Sequence, residues 1–278
     1  TVADIVEKVR QRAEAAEPGE WIVGYGWDDA KLEERRYVTK QDLDPVSPEN
    51  PVYLVHVSGH LSSANSAALQ LAGVMADTQD PKGGLIERDA AGEATGILKA
   101  SAMPMVDRLL PGDPPDLPSR AAKVVSERAL EVGLTTIHDI WVSPEDMRGY
   151  QAAHEAGDLK VRIQMVPGVR NVEDAEKLAA QGLHTGFGDD HLKLGAVKLF
   201  TDGGMGARTV AIYDPPVAGE PDNYGLLMWD SDDLQKAHRT LAEAGWQIVT
   251  HAIGDRAIDQ ALDSYQAVMK ELDRSEER

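Results

Sequence analysis

The sequence predicts an α/β fold built from consecutive βα units, and three observations support this prediction. From Ser119 onward, helix and strand patterns alternate with short connections, which is typical of parallel βα units. Polar residues cluster where the predicted strands end, the edge at which parallel sheets carry functional side chains. Hydrophobic residues make up 42% of the 278 residues, which is enough for a substantial core.

The first 118 residues contain short elements that are separated by turn signals. In chain order, the patterns predict an amphipathic helix, two strands, a short helix and a hairpin, at residues 1–16, 21–25, 51–57, 65–72, and 84–87 with 95–98. The segment PGDPPDLP (residues 111–118) is rich in turn formers and predicts a linker. We therefore divide the chain into residues 1–118, an α+β region, and residues 119–278, the region of βα units.

The second region has a helix before each strand and a helix after the last one. The predicted helices cover residues 121–131, 144–156, 172–181, 231–244 and 257–272, and the strands are LTTIHDIW, VRIQMV, HLKLGAVKLF and WQIVTHAI. Two architectures fit this rhythm, an open doubly wound sheet and a closed (β/α)8 barrel. No G-x-G-x-x-G motif follows an early strand, so a dinucleotide site has no support.

Composition excludes several classes of function. The formal net charge of −19 argues against nucleic acid and against anionic membrane surfaces, because both need a basic patch. The absence of cysteine removes thiolate nucleophiles, zinc–thiolate sites and disulfides. The sequence shows no apolar run of membrane-spanning length and no signal-peptide pattern, and we predict a cytoplasmic location.

Lys198 is the first candidate for a functional residue, because it interrupts the apolar strand GAVKLF. An ammonium group in an apolar interior is costly unless it is paired or neutralised. Three interpretations fit: a structural lysine paired with Asp202 or Asp139, a Schiff-base lysine with a depressed pKa, or a lysine carbamylated by carbon dioxide that bridges metal ions. The residues alone do not choose between them.

Further polar candidates follow the ends of predicted strands. His251 and Asp255 come after the strand WQIVT, and neutral imidazole is a common metal ligand, although a lone histidine is more often structural. His138, with Asp139, is predicted to line a pocket. In the first region, Trp27 and Asp28 lie in a glycine-rich turn. His60 follows a strand there, and Asn65 fits either a helix cap or a pocket residue.

Several segments together resemble the YtcJ-like branch of the metal-dependent amidohydrolase superfamily, which includes N-substituted formamide deformylases. VKLFTDGG and HAIGDRA are the specific motifs. The supporting segments are PGEWIVGYGWDD, PVYLVHVSGHLSSANSAALQLAGV, GGLIERDAAGEATGIL, GLTTIHDI, MGARTVAIYDPP, YGLLMW and IDQALDSY. The matches run in family order across nearly the whole chain.

The resemblance implies a (β/α)8 barrel in which residues 1–118 form an insertion between the first two barrel strands. It implies a site for one or two divalent metal ions, usually zinc, at the barrel mouth. Lys198 corresponds to the carbamylated fourth-strand lysine and His251 to the fifth-strand ligand, and we predict both as catalytic and metal-binding residues. The predicted residues for binding a small-molecule substrate are Trp27, Asp28, His60, Asn65, His138, Asp202, Arg208 and Asp255. The implied reaction is hydrolysis of a carbon–nitrogen bond by metal-activated water.

The resemblance also implies ligands that this sequence does not contain. The first-strand His-x-His pair, the sixth-strand histidine and the eighth-strand aspartate find no counterparts, and the βα units number half of those in a complete barrel. We therefore expect an internal fragment with a partial barrel, weak metal binding, no turnover alone and self-association through unpaired sheet edges. The alternatives are a Schiff-base lyase that uses Lys198 and a non-catalytic binding module on a decayed barrel.

Overall fold

The computed structural model describes residues 1–214, 216, 217 and 220–273. It divides the chain into two compact units. The first unit consists of residues 1–111, 202–228 and 253–257, and the second begins at residue 112 and contains the rest. The division after Pro111 coincides with the start of the predicted linker. The description of residues 1–118 as an insertion between two barrel strands stays a prediction.

The first unit contains one mixed sheet of five strands, in the order β1-β2-β3-β5-β4. Its strands are β1 (Ile22–Trp27), β2 (Val52–His56), β3 (Leu61–Ala64), β4 (Gly84–Arg88) and β5 (Ala94–Ala100). Strands β1 and β2 are parallel, and the other pairs are antiparallel, including the predicted hairpin β4–β5. Two buried apolar clusters form its core; they include Val38, Leu43 and Leu61 in one and Tyr53, Ile86 and Leu98 in the other.

Short helices complete the first unit. They are α1 (Val2–Ala15), a 3-10 helix (Asp29–Lys31), α2 (Lys40–Leu43), α3 (Ser66–Leu71) and α4 (Pro104–Asp107). Helix α1 begins with a capping box, in which the Thr1 hydroxyl accepts the Asp4 N–H at 3.1 Å and donates to the Asp4 carboxylate at 2.7 Å. Its apolar face buries Val2 and Val9 in the same cluster as Leu43.

The second unit has the predicted alternation of helices and parallel strands. Its elements are α5 (Leu117–Glu131), β6 (Thr136–Val142), α6 (Pro144–Glu155), β7 (Arg162–Pro167), α7 (Val172–Ala179), β8 (Leu192–Leu194), β9 (Val197–Phe200), α8 (Ser231–Glu243), β10 (Ile248–His251) and α9 (Asp255–Glu271), whose first turn belongs to the first unit. Strands β6, β7 and β8 form one parallel sheet and β9 pairs with β10 in another, so the α/β prediction is confirmed and both sheets are open.

One predicted strand is divided in the structure. The segment HLKLGAVKLF forms β8 and β9 with a break at Gly195 and Ala196. At the break, the Gly195 N–H still completes the β7–β8 ladder by donating to the Met165 carbonyl at 2.8 Å, and the Gly195 carbonyl accepts from the Thr185 hydroxyl at 2.9 Å. After the break, a parallel bridge between Gly168 and Lys198 continues the pairing toward β9.

Candidate active site

Lys198 lies in the middle of β9, and its side chain is largely buried. The residue is 7% exposed, and burial lowers the pKa of its ammonium group. Its Nζ atom lies 4.5 Å from the centroid of the Phe200 ring. The backbone is fixed as well, because the Lys198 carbonyl accepts the Val169 N–H at 3.0 Å. The amine is therefore held in a buried position that lowers the cost of losing its proton.

His251 lies at the carboxyl end of β10, the strand next to β9. In the register of this pair, Val249 is opposite Lys198 and His251 is opposite Phe200. Because alternate residues of a strand point to the same face, the Lys198, Phe200 and His251 side chains share one face of the sheet. The Phe200 and His251 rings are 5.2 Å apart. The structure thus brings the two predicted metal ligands to neighbouring strands on one face.

A buried polar network supports β10 from its other face. His238 on α8 is fully buried, and its Nδ1 and Nε2 atoms lie 2.8 Å from the Ser264 hydroxyl and 3.1 Å from the Thr250 hydroxyl. Tyr265 stacks on the His238 ring and donates to the same Thr250 oxygen at 2.7 Å. Burial lowers the pKa of His238 to about 4. The sequence analysis missed this network, whose only signal was a histidine on the apolar face of a helix.

An aromatic wall adjoins Phe200. The Trp141 ring lies 5.3 Å from the Phe200 ring, and the Arg170 guanidinium lies 4.9 Å from the Trp141 ring. Trp141 interrupts the register between β6 and β7 and has φ 83°, an uncommon conformation for a bulky residue. Its ring fills the space next to Gly168, where a Cβ atom would lie 2.3 Å from the ring. Sequence analysis did not identify this wall, because a backbone outlier has no sequence signature.

His138 and Asp139 occupy strand β6, as predicted, but they differ in their environments. His138 is exposed on a strand at the edge of its sheet. The Asp139 carboxylate accepts a hydrogen bond of 2.6 Å from the Tyr150 hydroxyl, whose pKa is raised by burial and then by this carboxylate. Asp139 is therefore engaged with the neighbouring helix, and the pocket-lining role of His138 stays a prediction.

The first unit holds the remaining predicted residues, and several of them organise the backbone. Asp202 is fully buried and accepts hydrogen bonds from the N–H groups of Ala211, Ile253 and Gly254 at 3.0, 3.1 and 2.9 Å. Asp255 accepts the Tyr213 N–H at 3.0 Å. These carboxylates tie the segment that follows β9 to the start of α9.

Asn65, His60 and Arg208 also have defined contacts in the first unit. Asn65 is fully buried and caps α3, with its oxygen accepting the Ala68 N–H at 3.0 Å, so the predicted cap is confirmed. The His60 carbonyl accepts the Ala100 N–H at 2.9 Å. Arg208, at φ 54°, forms a 2.6 Å ion pair with Glu220. Their predicted contacts with substrate stay predictions.

Trp27 adjoins, and Asp28 belongs to, a group of side chains that the sequence analysis did not bring together. Trp27 is buried and donates its indole N–H to the Leu54 carbonyl at 3.2 Å. Asp28, Asp29 and His56 each offer a ligand atom, and these atoms all lie within 4.8 Å of one another. The donor types suit a divalent cation. The signal in the sequence was the doubled aspartate after Trp27, together with the histidine at the end of a neighbouring strand.

Comparisons with known proteins identify the family of the chain. A family model described as "Amidohydrolase family" matches residues 1–278. The protein YtcJ of Bacillus subtilis is 31% identical over 94% of this chain and 49% of its own length. The N-substituted formamide deformylase of Arthrobacter pascens is 28% identical over 98% of this chain and 51% of its own length. The chain thus spans about half the length of these curated relatives.

Solved structures give a similar result. A metal-dependent hydrolase from Pyrococcus horikoshii superposes with a TM-score of 0.64 and 25% identity, covering 94% of this chain and 50% of that chain. A metal-dependent hydrolase from Pyrococcus furiosus gives a TM-score of 0.60 at 25% identity, over 97% of this chain and 53% of that chain. The family predicted from the sequence motifs is confirmed by the family model and these relatives.

Proposed function

This chain belongs to the Amidohydrolase family, and we propose that it is part of a metal-dependent hydrolase of carbon–nitrogen bonds other than peptide bonds. The observation that carries the proposal is the placement of Lys198 and His251 on neighbouring parallel strands, with their side chains on one face. The name of the Arthrobacter relative describes an enzyme that acts on substituted formamides, which supports a small amide-like substrate.

We further propose that Lys198 acts as a carbamate. Carbon dioxide reacts with a neutral amine, so the burial that lowers the pKa of Lys198 favours the reaction. A bond forms between Nζ and the carbon of carbon dioxide as one carbon–oxygen π bond opens, an N–H proton passes to solvent, and the neutral amine becomes a carbamate with one negative charge. That carbamate and the His251 imidazole are an oxygen and a nitrogen donor, which fit zinc. A bound zinc would act as a Lewis acid and lower the pKa of a water molecule.

The surrounding residues position the two proposed ligands. The Phe200 ring lies beside both side chains and shields the Lys198 amine from solvent. Thr201 holds the end of β10 by donating its N–H and its hydroxyl to the His251 carbonyl, at 2.9 and 2.6 Å. A catalytic zinc normally has more protein ligands than this pair, so we expect weak zinc binding by these two residues alone.

We propose that the second unit is a segment of a (β/α)8 barrel. All of its ladder pairs between strands are parallel. A helix follows directly after β6, β7 and β10, and a longer segment precedes the helix that follows β9. The bridge from Gly168 to Lys198 continues the strand order from β7 toward β9. Polar residues at the ends of these strands lie where a barrel places its chemistry.

Intact mass measured in bicarbonate, together with formate release from an N-substituted formamide, tests this function. In a chain extended to the length of the relatives, we expect zinc to promote an adduct with the mass of one carbon dioxide, which peptide mapping should locate at Lys198. Lys198→Ala should abolish it, whereas Lys193→Ala, a matched change on β8, should leave it intact. We expect turnover from a chain extended at both ends to the length of the relatives, and none from these 278 residues alone. An extended chain without adduct or turnover would refute the proposal.

A Schiff-base lyase is the second candidate, because a Schiff-base lysine needs a lowered pKa and burial lowers the pKa of Lys198. The amine would then attack a substrate carbonyl and release water as the imine forms. Borohydride reduction in the presence of a carbonyl substrate would label Lys198 in a lyase. An unlabelled Lys198 under these conditions excludes this candidate.

A further inference from the structure

The first unit contains a second group of metal-ligand side chains, which involves neither Lys198 nor His251. We propose that Asp28, Asp29 and His56 bind a zinc ion. The group lies where β1 ends and β2 ends, at the turn into the 3-10 helix. Its three residues differ from the proposed ligands Lys198 and His251, although Asp28 is also one of the residues that the resemblance implies for substrate binding.

The spacing of the ligand atoms fits one ion. The three ligand atoms lie within 4.8 Å of one another, and His56 Nε2 is 3.2 Å from Asp29 Oδ1. Two atoms that each lie about 2 Å from a tetrahedral zinc are roughly 3.3 Å apart, so the separation of His56 and Asp29 needs little rearrangement. The Asp28 ligand atom, within 4.8 Å of the other two, would move closer to complete the site. One imidazole and two carboxylates leave the fourth position of a tetrahedral zinc to water.

The backbone at this point directs the ligands toward one another. The register between β1 and β2 shifts between Tyr25 and Trp27, so that Trp27 is opposite His56. Gly26 lies in that shift with φ 83°, a conformation that favours glycine. Such irregularities re-aim side chains and are frequent next to functional sites. Here the shift is followed directly by the two aspartates.

The His56 ring is held before any ion binds. Its side chain is 2% exposed, and the Trp27 ring lies 4.8 Å away at 78°. The Ser58 N–H donates to His56 Nδ1 at 3.1 Å, which places the ring proton on Nε2, facing Asp29. Zinc would replace that proton at Nε2. The proton would move to Nδ1, where the Ser58 hydroxyl, 2.8 Å away, can accept it, and the Ser58 N–H would lose its bond to Nδ1.

The charges around the group also favour a cation. Asp28 and Asp29 bring two carboxylates together, and their side chains are only 18% and 14% exposed. The Lys31 ammonium lies 3.2 Å from Asp28 Oδ2, but the Lys31 side chain is 80% exposed. A surface ion pair of this kind is weak, so the lysine can leave for solvent when a divalent ion arrives. The other Asp28 oxygen stays on the Ala30 N–H, at 3.0 Å.

Isothermal titration of the full chain with zinc chloride tests the site. We expect the chain to bind zinc at this group, and Asp29→Asn and His56→Gln to weaken binding. Removing an outer partner of a metal ligand costs about 10–100-fold in affinity, so Ser58→Ala should fall in that range and the ligand variants should lose at least as much. Lys31→Met removes the competing cation and should tighten binding.

Two controls separate this site from other causes. Asp77→Asn neutralises an exposed carboxylate of the same unit and should not change the affinity. The double variant Lys198→Ala, His251→Ala should also retain zinc. The proposal is overturned if the unaltered chain binds no zinc, if Asp29→Asn and His56→Gln bind like it, or if the double variant alone abolishes binding. Circular dichroism identifies unfolded variants, and Asp29→Asn, which keeps His56 in place, decides the result if His56→Gln does not fold.

Discussion

Trp141 shows how a single residue can combine strain with close packing at the residue scale. Its left-handed backbone, at φ 83°, costs about 1–3 kcal/mol in residues other than glycine. The surrounding contacts over-determine this conformation, because the ring lies against Gly168 and within 5.3 Å of Phe200. The strain therefore lies beside the face that carries Lys198, where a rigid wall would help to exclude water.

Gly168→Ala should destabilise the chain because the new methyl group would overlap the Trp141 ring, 2.3 Å away. Overpacking of this kind typically costs about 1–3 kcal/mol in the free energy of unfolding, which urea titration measures. Gly112→Ala is the matched control, because a Cβ atom there meets nothing within 4 Å. If overlap is the cause, the cost of Gly168→Ala should nearly vanish in a Trp141→Gly background. An equal cost in that background would contradict the explanation.

His238 makes stability depend on pH. Its pKa is about 4 in the folded chain because of burial, against an ordinary value of 6.5. Below pH 6.5 the unfolded chain takes up a proton that the folded chain refuses, so stability falls as the pH drops toward 4. The difference corresponds to about 3 kcal/mol over the whole window. Unfolding midpoints from pH 7.5 to 4 should fall less steeply for His238→Asn. Parallel curves would show that other groups cause the loss.

At the element scale, the βα rhythm made the position of the proposed metal ligands predictable. Strands β9 and β10 are short, yet their apolar runs and the helices around them predicted parallel neighbours, and the register confirms that adjacency. The break between β8 and β9 was not predictable, because HLKLGAVKLF is one apolar run in the sequence, whereas in the structure β8 pairs with β7 and β9 pairs with β10. Local patterns report periodicity, whereas such breaks depend on partners distant in sequence.

Asp202 joins segments that are far apart in sequence. From local motifs alone, it could be identified only as a polar residue near the end of a strand. Asp202→Asn should destabilise the first unit, because the new amide N–H group faces backbone N–H donors that now bond to carboxylate oxygens. Hydrogen bonds to charged groups contribute about 1.5–3 kcal/mol, and we expect a loss of about 2 kcal/mol. Hydrogen exchange should accelerate at Ala211, Ile253 and Gly254. Asp77→Asn provides the exposed control, and unchanged exchange at the three amides would refute the assignment.

The two units define the whole-molecule scale. The segment PGDPPDLP, predicted as a linker because prolines and glycines interrupt regular structure, begins at the residue where the first stretch of the first unit ends. The sequence did not reveal that residues 202–228 and 253–257 return to the first unit. That assignment rests on long-range contacts such as the hydrogen bonds of Asp202, and no local periodicity encodes them.

No helix of the described residues is long and apolar enough to span a membrane.

The second unit exposes apolar side chains along its outer elements. The exposed residues on α5, β6 and the turn between them are Val124, Val125, Leu130, Val132, Leu134 and Ile140, and those on β10 and α9 are Val249, Ile258 and Leu262. Strands β6 and β10 each lie at the edge of their sheet within the described part of the chain. An open parallel edge with apolar neighbours is a template for further pairing.

We therefore predict that the isolated 278-residue chain associates with a second copy through these edges. The net charge of −19 opposes association, so it should be stronger at high salt, where charges are screened. The double variant Ile140→Lys, Val249→Lys places a positive charge on each edge strand. It should shift the sedimentation coefficient toward that of the monomer. Val57→Lys, an exposed apolar residue of the first unit, is the matched control and should not. A wild-type chain that stays monomeric at all concentrations and salt levels would contradict the prediction. Dimers that persist in the edge variant would place the interface elsewhere.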